Sequence, residues 1–195
     1  MENGKIRAFI AIEFPSELKK QLADFQAGLK SNGQNFVKWV DPGLMHLTLK
    51  FLGNQSPDKI EVIKRVMKTA AGSCKPFILN TGRVGCFPNP RNLRTFWLGL
   101  EGDIDRLTGL QKDIEDRLAK EGFPAENRPF TAHLTLARMK DECSMQNRSA
   151  FALTIQSARF EPVHGFKVES IALMKSTLTP RGPVYNRLAE FNTVD

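Results

Sequence analysis

Histidine and cysteine are both scarce in this chain of 195 residues, which contains three of each and no long apolar run. The cysteines are far apart in the sequence and form no C-x-x-C pair, so the sequence predicts neither a disulfide framework nor a zinc knuckle. The apolar run near the start, FIAI, is too short to span a membrane, and no signal-peptide cleavage region follows it. We therefore expect a cytoplasmic protein without a membrane segment.

The composition is that of an ordinary globular protein, with 41% hydrophobic and 25% charged residues. Lysine and arginine together number 28 against 21 for aspartate and glutamate, which gives a net charge of +7 and a pI near 9.5. This balance favours an anionic partner, and nucleic acid is one candidate. Charge alone does not select it, because many basic proteins bind no nucleic acid.

Two of the three histidines lie in a repeated motif, because HLTL occurs at 46–49 and again 87 residues later at 133–136. Further matches at the same offset are Arg7-Ala8-Phe9 with Arg94-Thr95-Phe96, Phe36 with Phe123, and Pro42 with Pro129. Self-similarity at a fixed spacing indicates a duplicated unit. We therefore predict a single domain, residues 1–195, built from two similar lobes related by a pseudo-two-fold axis.

Hydrophobic periodicity predicts a strand followed by a helix in each half. The first half has a strand at 6–13 and a helix through Leu18 to Leu29, stopping before Gly33. The second half has a strand at 94–101 and a helix through 104–118, closed by Gly122. Further predicted elements are a helix beginning at Ser56-Pro57, a shorter helix within 140–152, strands through both HLTL motifs, and strands at 75–86, 164–175 and 183–192. This order predicts an α+β fold with mostly antiparallel sheets.

The repeated motif has a clear chemical meaning if it forms a strand. Side chains alternate between the faces of a strand, so His46 and Thr48 share one face, as His133 and Thr135 do, while the leucines face the core. Two facing strands then bring together two imidazoles and two hydroxyls. With a pKa near 6.5, one imidazole can accept a proton while the other donates one, and hydroxyls can donate to phosphate oxygens. The motif pair therefore favours phosphoryl chemistry without a metal.

Two other interpretations compete with this one. A lone histidine in a strand is more often a surface or core residue than a catalyst, but a core has no need for His and Thr on matched strands. Two histidines can also ligate zinc, yet neither motif has a Cys, Asp or Glu at a familiar ligand spacing, and catalytic zinc normally needs three protein ligands. His164 has no such context, and we expect it to be structural or exposed.

The two H-x-T-L motifs, the second closing with Arg138 as HLTLAR, resemble the two-histidine (2H) phosphoesterase superfamily, in particular the RNA 2',3'-cyclic phosphodiesterases, also called LigT-like 2'-5' RNA ligases. The resemblance covers almost the whole chain. It includes the segments RAFIAIEFP, WVDPGLMHLTLKFLG and STLTPRGPVYNRL, in which Ser176, Leu178, Gly182 and Tyr185 fit the family's final strands.

The resemblance implies a bilobal fold with helices outside and an open central cleft that holds both motifs, with no metal or other cofactor. It implies hydrolysis of a terminal 2',3'-cyclic phosphate of RNA to a 2'-phosphate, with 2'-5' ligation as a reverse or side activity. It also suggests a monomer, with tRNA fragments among the candidate RNA partners.

The resemblance also implies roles for individual residues. His46 is the expected proton donor to the leaving 3' oxygen, and His133 is the acceptor that activates water, although the sequence itself does not distinguish them. Thr48 and Thr135 are expected to hold the phosphate. Arg138 is expected to bind phosphate, although strict alternation places it opposite His133, so a twist or bulge must return it to the cleft. Its counterpart at the 87-residue offset is Phe51, which makes the two half-sites unequal.

A second set of side chains is expected around the cleft. In the segment CFPNPRNLRTFW we predict Phe87 as a base-stacking residue and Trp97 as a core residue, with Arg91 and Arg94 near the phosphates. Tyr185 is expected to contact substrate. Residues expected mostly on solvated faces are Lys38, Lys50, Arg128 and Arg181, while Met45 and Met139 are expected to pack in the core.

Two alternative functions remain open from the sequence. One is a family member that acts on small cyclic nucleotides or on a cyclic phosphate of ADP-ribose type. The other is a non-catalytic RNA-binding protein built on the same fold.

Overall fold

The computed structural model describes residues 4–30, 34–161, 165–180 and 182–194, so the predictions for Gly33, His164 and Arg181 lie outside the described residues. The elements in chain order are β1 (Ile6–Glu13), α1 (Ser16–Leu29), β2 (Val37–Trp39), β3 (His46–Gln55), α2 (Pro57–Gly72), β4 (Phe77–Phe87), β5 (Thr95–Gly102), α3 (Ile104–Lys120), β6 (His133–Met139), α4 (Met145–Ser157), β7 (Phe166–Val168), β8 (Ser170–Thr179) and β9 (Gly182–Asn192).

The strands form two sheets, one with the order β3-β1-β8-β9 and the other with the order β2-β6-β5-β4-β7. Every strand pairing found among the described residues is antiparallel, which confirms the predicted α+β class with antiparallel sheets. Each sheet contains one HLTL strand, β3 in the first and β6 in the second. Cα atoms of these two strands approach within 8 Å, so the two sheets come together at the strands that carry the motifs.

Several boundaries differ from the periodicity-based predictions. The predicted helix within 140–152 is α4, which begins only at Met145 because the Ser144 hydroxyl accepts a hydrogen bond from the Asn147 backbone N–H and caps the helix. The predicted strand at 164–175 is two strands, β7 and β8, separated by Glu169. The short strand β2 was not predicted, because three residues are too few to show a period.

The larger of two buried hydrophobic clusters joins the helices to both sheets. The apolar faces of the motif strands point into it, through Leu47, Leu49, Leu134 and Leu136. Met45 and Met139 are also buried, so their predicted packing role is confirmed. None of the helices in the described part of the chain has the length and apolarity needed to cross a membrane.

The prediction that Lys50 lies on a solvated face is wrong. Lys50 is only 6% exposed, and its Nζ lies 2.5 Å from Glu115 Oε2 on α3 and 2.9 Å from the Pro124 carbonyl oxygen. Lys50 is buried because the strand does not alternate strictly at this point: Leu49 and Lys50 both face inward. A buried ammonium needs a partner, and Glu115 supplies it across the halves of the chain.

The strand register also corrects the proposed repeat. Phe9 lies opposite Phe51 in the first sheet, whereas Thr95 lies opposite Arg138 in the second. Phe51 and Arg138 are 87 residues apart, so the structural counterpart of Phe9 is Thr95 and not Phe96. Because a one-residue slip reverses the faces of a strand, the sequence match of Arg7-Ala8-Phe9 with Arg94-Thr95-Phe96 does not coincide with the structural correspondence of the two strands.

The buried ion pair gives a stability prediction. Replacing Glu115 by Ala leaves the Lys50 ammonium buried without its carboxylate, and we expect the free energy of unfolding to fall by about 3 kcal/mol. Glu61→Ala is the control, since Glu61 forms an exposed pair with Lys64 on α2 and should cost less than about 1 kcal/mol. Urea unfolding measures both values, and equal losses for the two variants would contradict the prediction.

Candidate active site

The two motif strands present the same pair of polar side chains on one face. On β3, His46 and Thr48 are half-buried while the leucines between and beyond them are buried. On β6, His133 and Thr135 show the same pattern. All four side chains therefore lie on the face that strand alternation predicts.

Each imidazole is anchored through Nδ1 to a backbone carbonyl two residues earlier. His46 Nδ1 lies 2.8 Å from the Leu44 oxygen, and His133 Nδ1 lies 2.7 Å from the Thr131 oxygen. A carbonyl oxygen only accepts hydrogen bonds, so Nδ1 carries the proton and donates it in both rings. Nε2 is then the nitrogen that exchanges protons with a substrate, and both rings are fixed in the same tautomer. No local sequence pattern predicts these two anchors.

A β-bulge brings Arg138 to the face of the histidine. Phe96 pairs with Ala137 and Trp97 pairs with Thr135, so Leu136 has no partner across the strand pair. The extra residue reverses the alternation: Leu136 and Ala137 are both buried, and Arg138 is exposed. The bulge that the Arg138 prediction required is therefore present.

Arg138 is held in place by Thr95, which was not predicted as a site residue. Its Nη1 donates to Thr95 Oγ1 at 3.2 Å, and Thr95 lies directly opposite Arg138 on β5. Thr95 is 9% exposed, so the hydroxyl is a fixed acceptor for the guanidinium. In the sequence Thr95 looks like an ordinary strand residue. Only the pairing of β5 with β6, which places Thr95 opposite Arg138, indicates its role.

The first motif strand has a matching bulge with a different outcome. Ile10 pairs with Lys50 and Ala11 with Thr48, which leaves Leu49 unmatched. Phe51 therefore takes the place that Arg138 takes on β6, and its side chain is 68% exposed. The two bulges are equivalent, but the one in β3 exposes the ring of Phe51 and the one in β6 exposes the charge of Arg138. The two half-sites are therefore unequal, as the sequence predicts.

His46 lies within a small aromatic cluster. The Phe9 ring stacks on it, with ring centroids 4.7 Å apart and planes 27° apart, and Tyr185 meets it edge-on at 5.2 Å. Phe9 was not predicted as a site residue. Burial lowers the pKa of His46 below 6.5, and the nearby Lys19 charge adds to this, while the Leu44 hydrogen bond and the Glu13 carboxylate oppose it. Burial therefore favours the neutral form of the free His46.

His133 has different aromatic neighbours. Phe87 meets the imidazole edge-on at 5.1 Å, in the position expected for a cleft residue, and Trp97 lies at 6.0 Å. The prediction of Trp97 as a core residue was wrong, because its partner across the strand pair is Thr135 and it therefore shares the site face. Gly85 makes room for the indole: a Cβ atom there would lie 2.3 Å from the Trp97 ring.

Tyr185 connects the two halves of the site. Burial raises the pKa of Tyr185, and the positive charges of Arg138 and Arg7 oppose this rise. Tyr185 contacts His46 and Phe9 in the first sheet. Since Arg138 belongs to the second sheet and acts on the same phenol, side chains from both sheets share one electrostatic environment.

The remaining predicted cations, Arg91, Arg94, Lys38 and Arg128, are exposed. Lys38 lies directly opposite Arg138 in the pairing of β2 with β6. Among the described residues there is no group of three or more His, Cys, Asp or Glu side chains arranged to hold a metal ion. The site consists of two imidazoles, two threonine hydroxyls, one guanidinium and several aromatic rings.

Comparison with known proteins assigns the family. The sequence profile of the LigT-like phosphoesterases matches residues 12–97 and again residues 98–185. The RNA 2',3'-cyclic phosphodiesterase of Methanothermobacter thermautotrophicus is 34% identical over 187 residues, covering 96% of this chain and 98% of the relative. The enzyme of the same name from Methanocaldococcus jannaschii is 31% identical, covering 95% of this chain and all of the relative. The chain belongs to the LigT-like phosphoesterase family.

Solved structures agree with this assignment at the level of the fold. A Thermus thermophilus protein superposes with a TM-score of 0.76 at 28% identity, covering 96% of this chain and 97% of that protein. Escherichia coli LigT complexed with 3'-AMP superposes with a TM-score of 0.77 at 22% identity, covering 98% and 99%. The chain thus has the LigT-like fold along its length, as the resemblance implied.

The packing around His46 gives a prediction for its protonation. In Phe9→Ala the imidazole loses the ring that stacks on it and becomes more hydrated, which favours its charged form, so its pKa should rise toward 6.5. Titration of the imidazole Cε1 proton by NMR measures this value. Phe87→Ala is the matched control, because Phe87 contacts His133, and it should leave the His46 pKa unchanged. An unchanged or lower His46 pKa in Phe9→Ala would show that burial by Phe9 is not the cause.

Proposed function

We propose that this phosphoesterase is an RNA 2',3'-cyclic phosphodiesterase that opens a terminal cyclic phosphate to a 2'-phosphate, with 2'-5' ligation as a reverse or side activity. One observation carries the proposal: two imidazoles with the same Nδ1 anchor leave their Nε2 atoms for proton transfer on neighbouring strands. The full-length similarity to RNA 2',3'-cyclic phosphodiesterases supports the substrate class.

The proposed reaction needs two proton transfers. A water oxygen forms a bond to phosphorus while the bond from phosphorus to the 3' oxygen breaks. His133 Nε2 takes the proton from the attacking water, and His46 Nε2 gives a proton to the leaving 3' oxygen. Each turnover leaves the two histidines with exchanged protonation, and exchange with solvent restores them.

The lowered pKa of His46 fits a donor that is charged only in the complex. A cyclic phosphate diester carries a negative charge, which favours the protonated form of a nearby imidazole. Binding therefore raises the His46 pKa and favours the imidazolium, which can then give its proton to the leaving oxygen. His46 thus becomes a donor when substrate is present, and burial favours its neutral form when substrate is absent.

The other site residues stabilise the phosphate in this proposal. Thr48 and Thr135 donate hydrogen bonds to the non-bridging oxygens, and the Arg138 guanidinium compensates the charge that accumulates in the transition state. Phe87 and Tyr185 supply aromatic surfaces for the terminal base or ribose. The proposed substrates are RNA ends, such as those of tRNA fragments, and an anionic substrate fits the net positive charge of the chain. The protein is expected to be a monomer in the cytoplasm.

Two alternatives are separated from this function by the first assay. A non-catalytic RNA-binding protein has no use for two histidines held in one tautomer, so the Nδ1 anchors favour catalysis. A member acting on small cyclic nucleotides or on an ADP-ribose cyclic phosphate would turn over those compounds and leave oligoribonucleotides intact.

The first test uses an oligoribonucleotide ending in a 2',3'-cyclic phosphate, incubated in EDTA, with the product terminus identified. We expect a 2'-phosphate, and we expect His46→Ala and His133→Ala each to lower turnover by about 10²–10⁴-fold because each removes one proton-transfer group. RNA binding by both variants should remain close to that of the unmodified protein. Turnover that survives both substitutions, or that returns only when divalent metal is added, would refute the paired-imidazole mechanism.

A second test assigns donor and acceptor. In a cyclic phosphorothiolate with sulfur in place of the 3' bridging oxygen, the leaving group is a thiolate, which needs no proton because thiols have a pKa of about 8.5. Turnover by His46→Ala should therefore be largely restored on this substrate, whereas His133→Ala should remain inactive. The opposite pattern would exchange the two roles, and restoration of neither variant would mean that protonation of the leaving group is not what His46 provides.

A further inference from the structure

Two buried glutamines reach from the helices of one half to the motif strand of the other. Gln26 on α1 is fully buried, and its Nε2 donates to the Leu136 oxygen on β6 at 2.9 Å. Gln111 on α3 is 9% exposed, and its Nε2 donates to the Leu49 oxygen on β3 at 3.4 Å. Leu49 and Leu136 are the unmatched residues that directly follow the threonines of the two motifs. Each bulge is therefore bonded to an amide from the opposite half of the chain.

The contact at Leu136 is the more extensive of the two. Gln26 Nε2 also donates to the Val40 oxygen at 2.9 Å, and the Val40 backbone N–H donates to the Leu136 oxygen at 2.9 Å. The amide thus joins the end of β2 to the bulge in β6. Two carbonyl oxygens lie within reach of one nitrogen, which fixes the orientation of the amide, because only its NH₂ end can donate to them.

Packing alone does not explain a glutamine at this position. Gln26 Oε1 is buried and has no hydrogen-bond partner among the described residues. An unsatisfied buried oxygen is unfavourable, and an apolar side chain of similar size would avoid it. What glutamine provides here, and an apolar residue cannot, is a donor to the two carbonyls at the bulge.

The bulge determines where Arg138 points. Without the extra residue, strict alternation would place Arg138 on the face opposite His133 and Thr135. The Leu136 carbonyl lies two residues before Arg138, and the guanidinium is then received by Thr95 Oγ1. A change in the bulge therefore displaces the guanidinium from the site without removing any group from it.

We infer that Gln26 is a positioning residue, which fixes the Leu136 bulge and thereby holds Arg138 at the phosphate. The inference rests on the proposed function, because it assigns Arg138 to the reaction. Gln111 occupies the equivalent place for the Leu49 bulge, which delivers Phe51 and not a charge. A substitution of Gln111 therefore cannot change turnover by moving Arg138.

A double-mutant cycle tests the inference, with turnover of the cyclic-phosphate oligoribonucleotide as the readout. Gln26→Met keeps the size of the side chain and removes the donor. We expect it to lower kcat about tenfold in the unmodified protein, because small displacements of a catalytic group have large effects, and less than about twofold in Arg138→Ala. Gln111→Met is the matched control, and any loss it causes should be the same factor in both backgrounds.

A conservative variant provides a second readout. Gln26→Glu retains one donor while its carboxyl group is protonated and none when it is ionised. Its activity relative to the unmodified protein should therefore fall as the pH rises through the pKa of this carboxyl group, whereas the relative activity of Gln26→Met should not change in this way. Thermal unfolding of every variant shows whether it is folded at the assay temperature. If Gln26→Met does not fold, Gln26→Glu is used for the test in its place.

The outcomes separate this inference from the proposed function. If His133→Ala is inactive and Arg138→Ala is impaired, but Gln26→Met costs the same factor in both backgrounds, Gln26 acts independently of Arg138 and the inference is wrong. If neither His133→Ala nor Arg138→Ala reduces turnover, the proposed function itself has failed. A loss confined to the background that contains Arg138 supports the inference.

Discussion

The unmatched residue that directly follows the threonine in each motif strand is the constraint on which the site depends. A strand with strict alternation supplies His and Thr to one face and cannot add a third polar side chain at Arg138, which is five residues beyond His133. The unmatched Leu136 removes this restriction, and the unmatched Leu49 does the same on the other strand. Both bulges also bury the following residue, which is Ala137 in one strand and Lys50 in the other. The bulge therefore shapes the core as well as the site.

Lys50 shows what this geometry demands of the first half. A lysine in the buried position after the bulge must have an anionic partner, and Glu115 on α3 supplies it, while the equivalent Ala137 needs none. Together with the bond from Gln111 to Leu49, this ion pair attaches the first motif strand to a helix of the second half. The reciprocal bond from Gln26 to Leu136 attaches the second motif strand to a helix of the first. The two halves are thus joined at the points that orient the site.

Much of the fold and part of the site follow from sequence patterns. The period of two in HLTL correctly predicts the faces of His46 and Thr48, and helical spacing correctly predicts α1 and α3. What the patterns miss depends on register, which is a relation between distant segments. Trp97 and Thr95 belong to the site only because of the residues opposite them on β6, and Phe9 corresponds to Thr95 and not to Phe96. A local pattern carries no information on such pairings, and an unmatched residue such as Leu136 shifts every side chain after it.

Two nearly identical motifs can perform opposite proton transfers only if their surroundings differ. The anchors do not differ, since both Nδ1 atoms donate to a carbonyl two residues earlier. The difference lies in the neighbours: Phe9 stacks on His46 and burial lowers its pKa, whereas Phe87 and Trp97 meet His133 at an angle. The bulges add a second difference, because one places the charge of Arg138 in the site and the other places the ring of Phe51. In the proposed mechanism, these differences around two strands of the same geometry separate the proton donor from the proton acceptor.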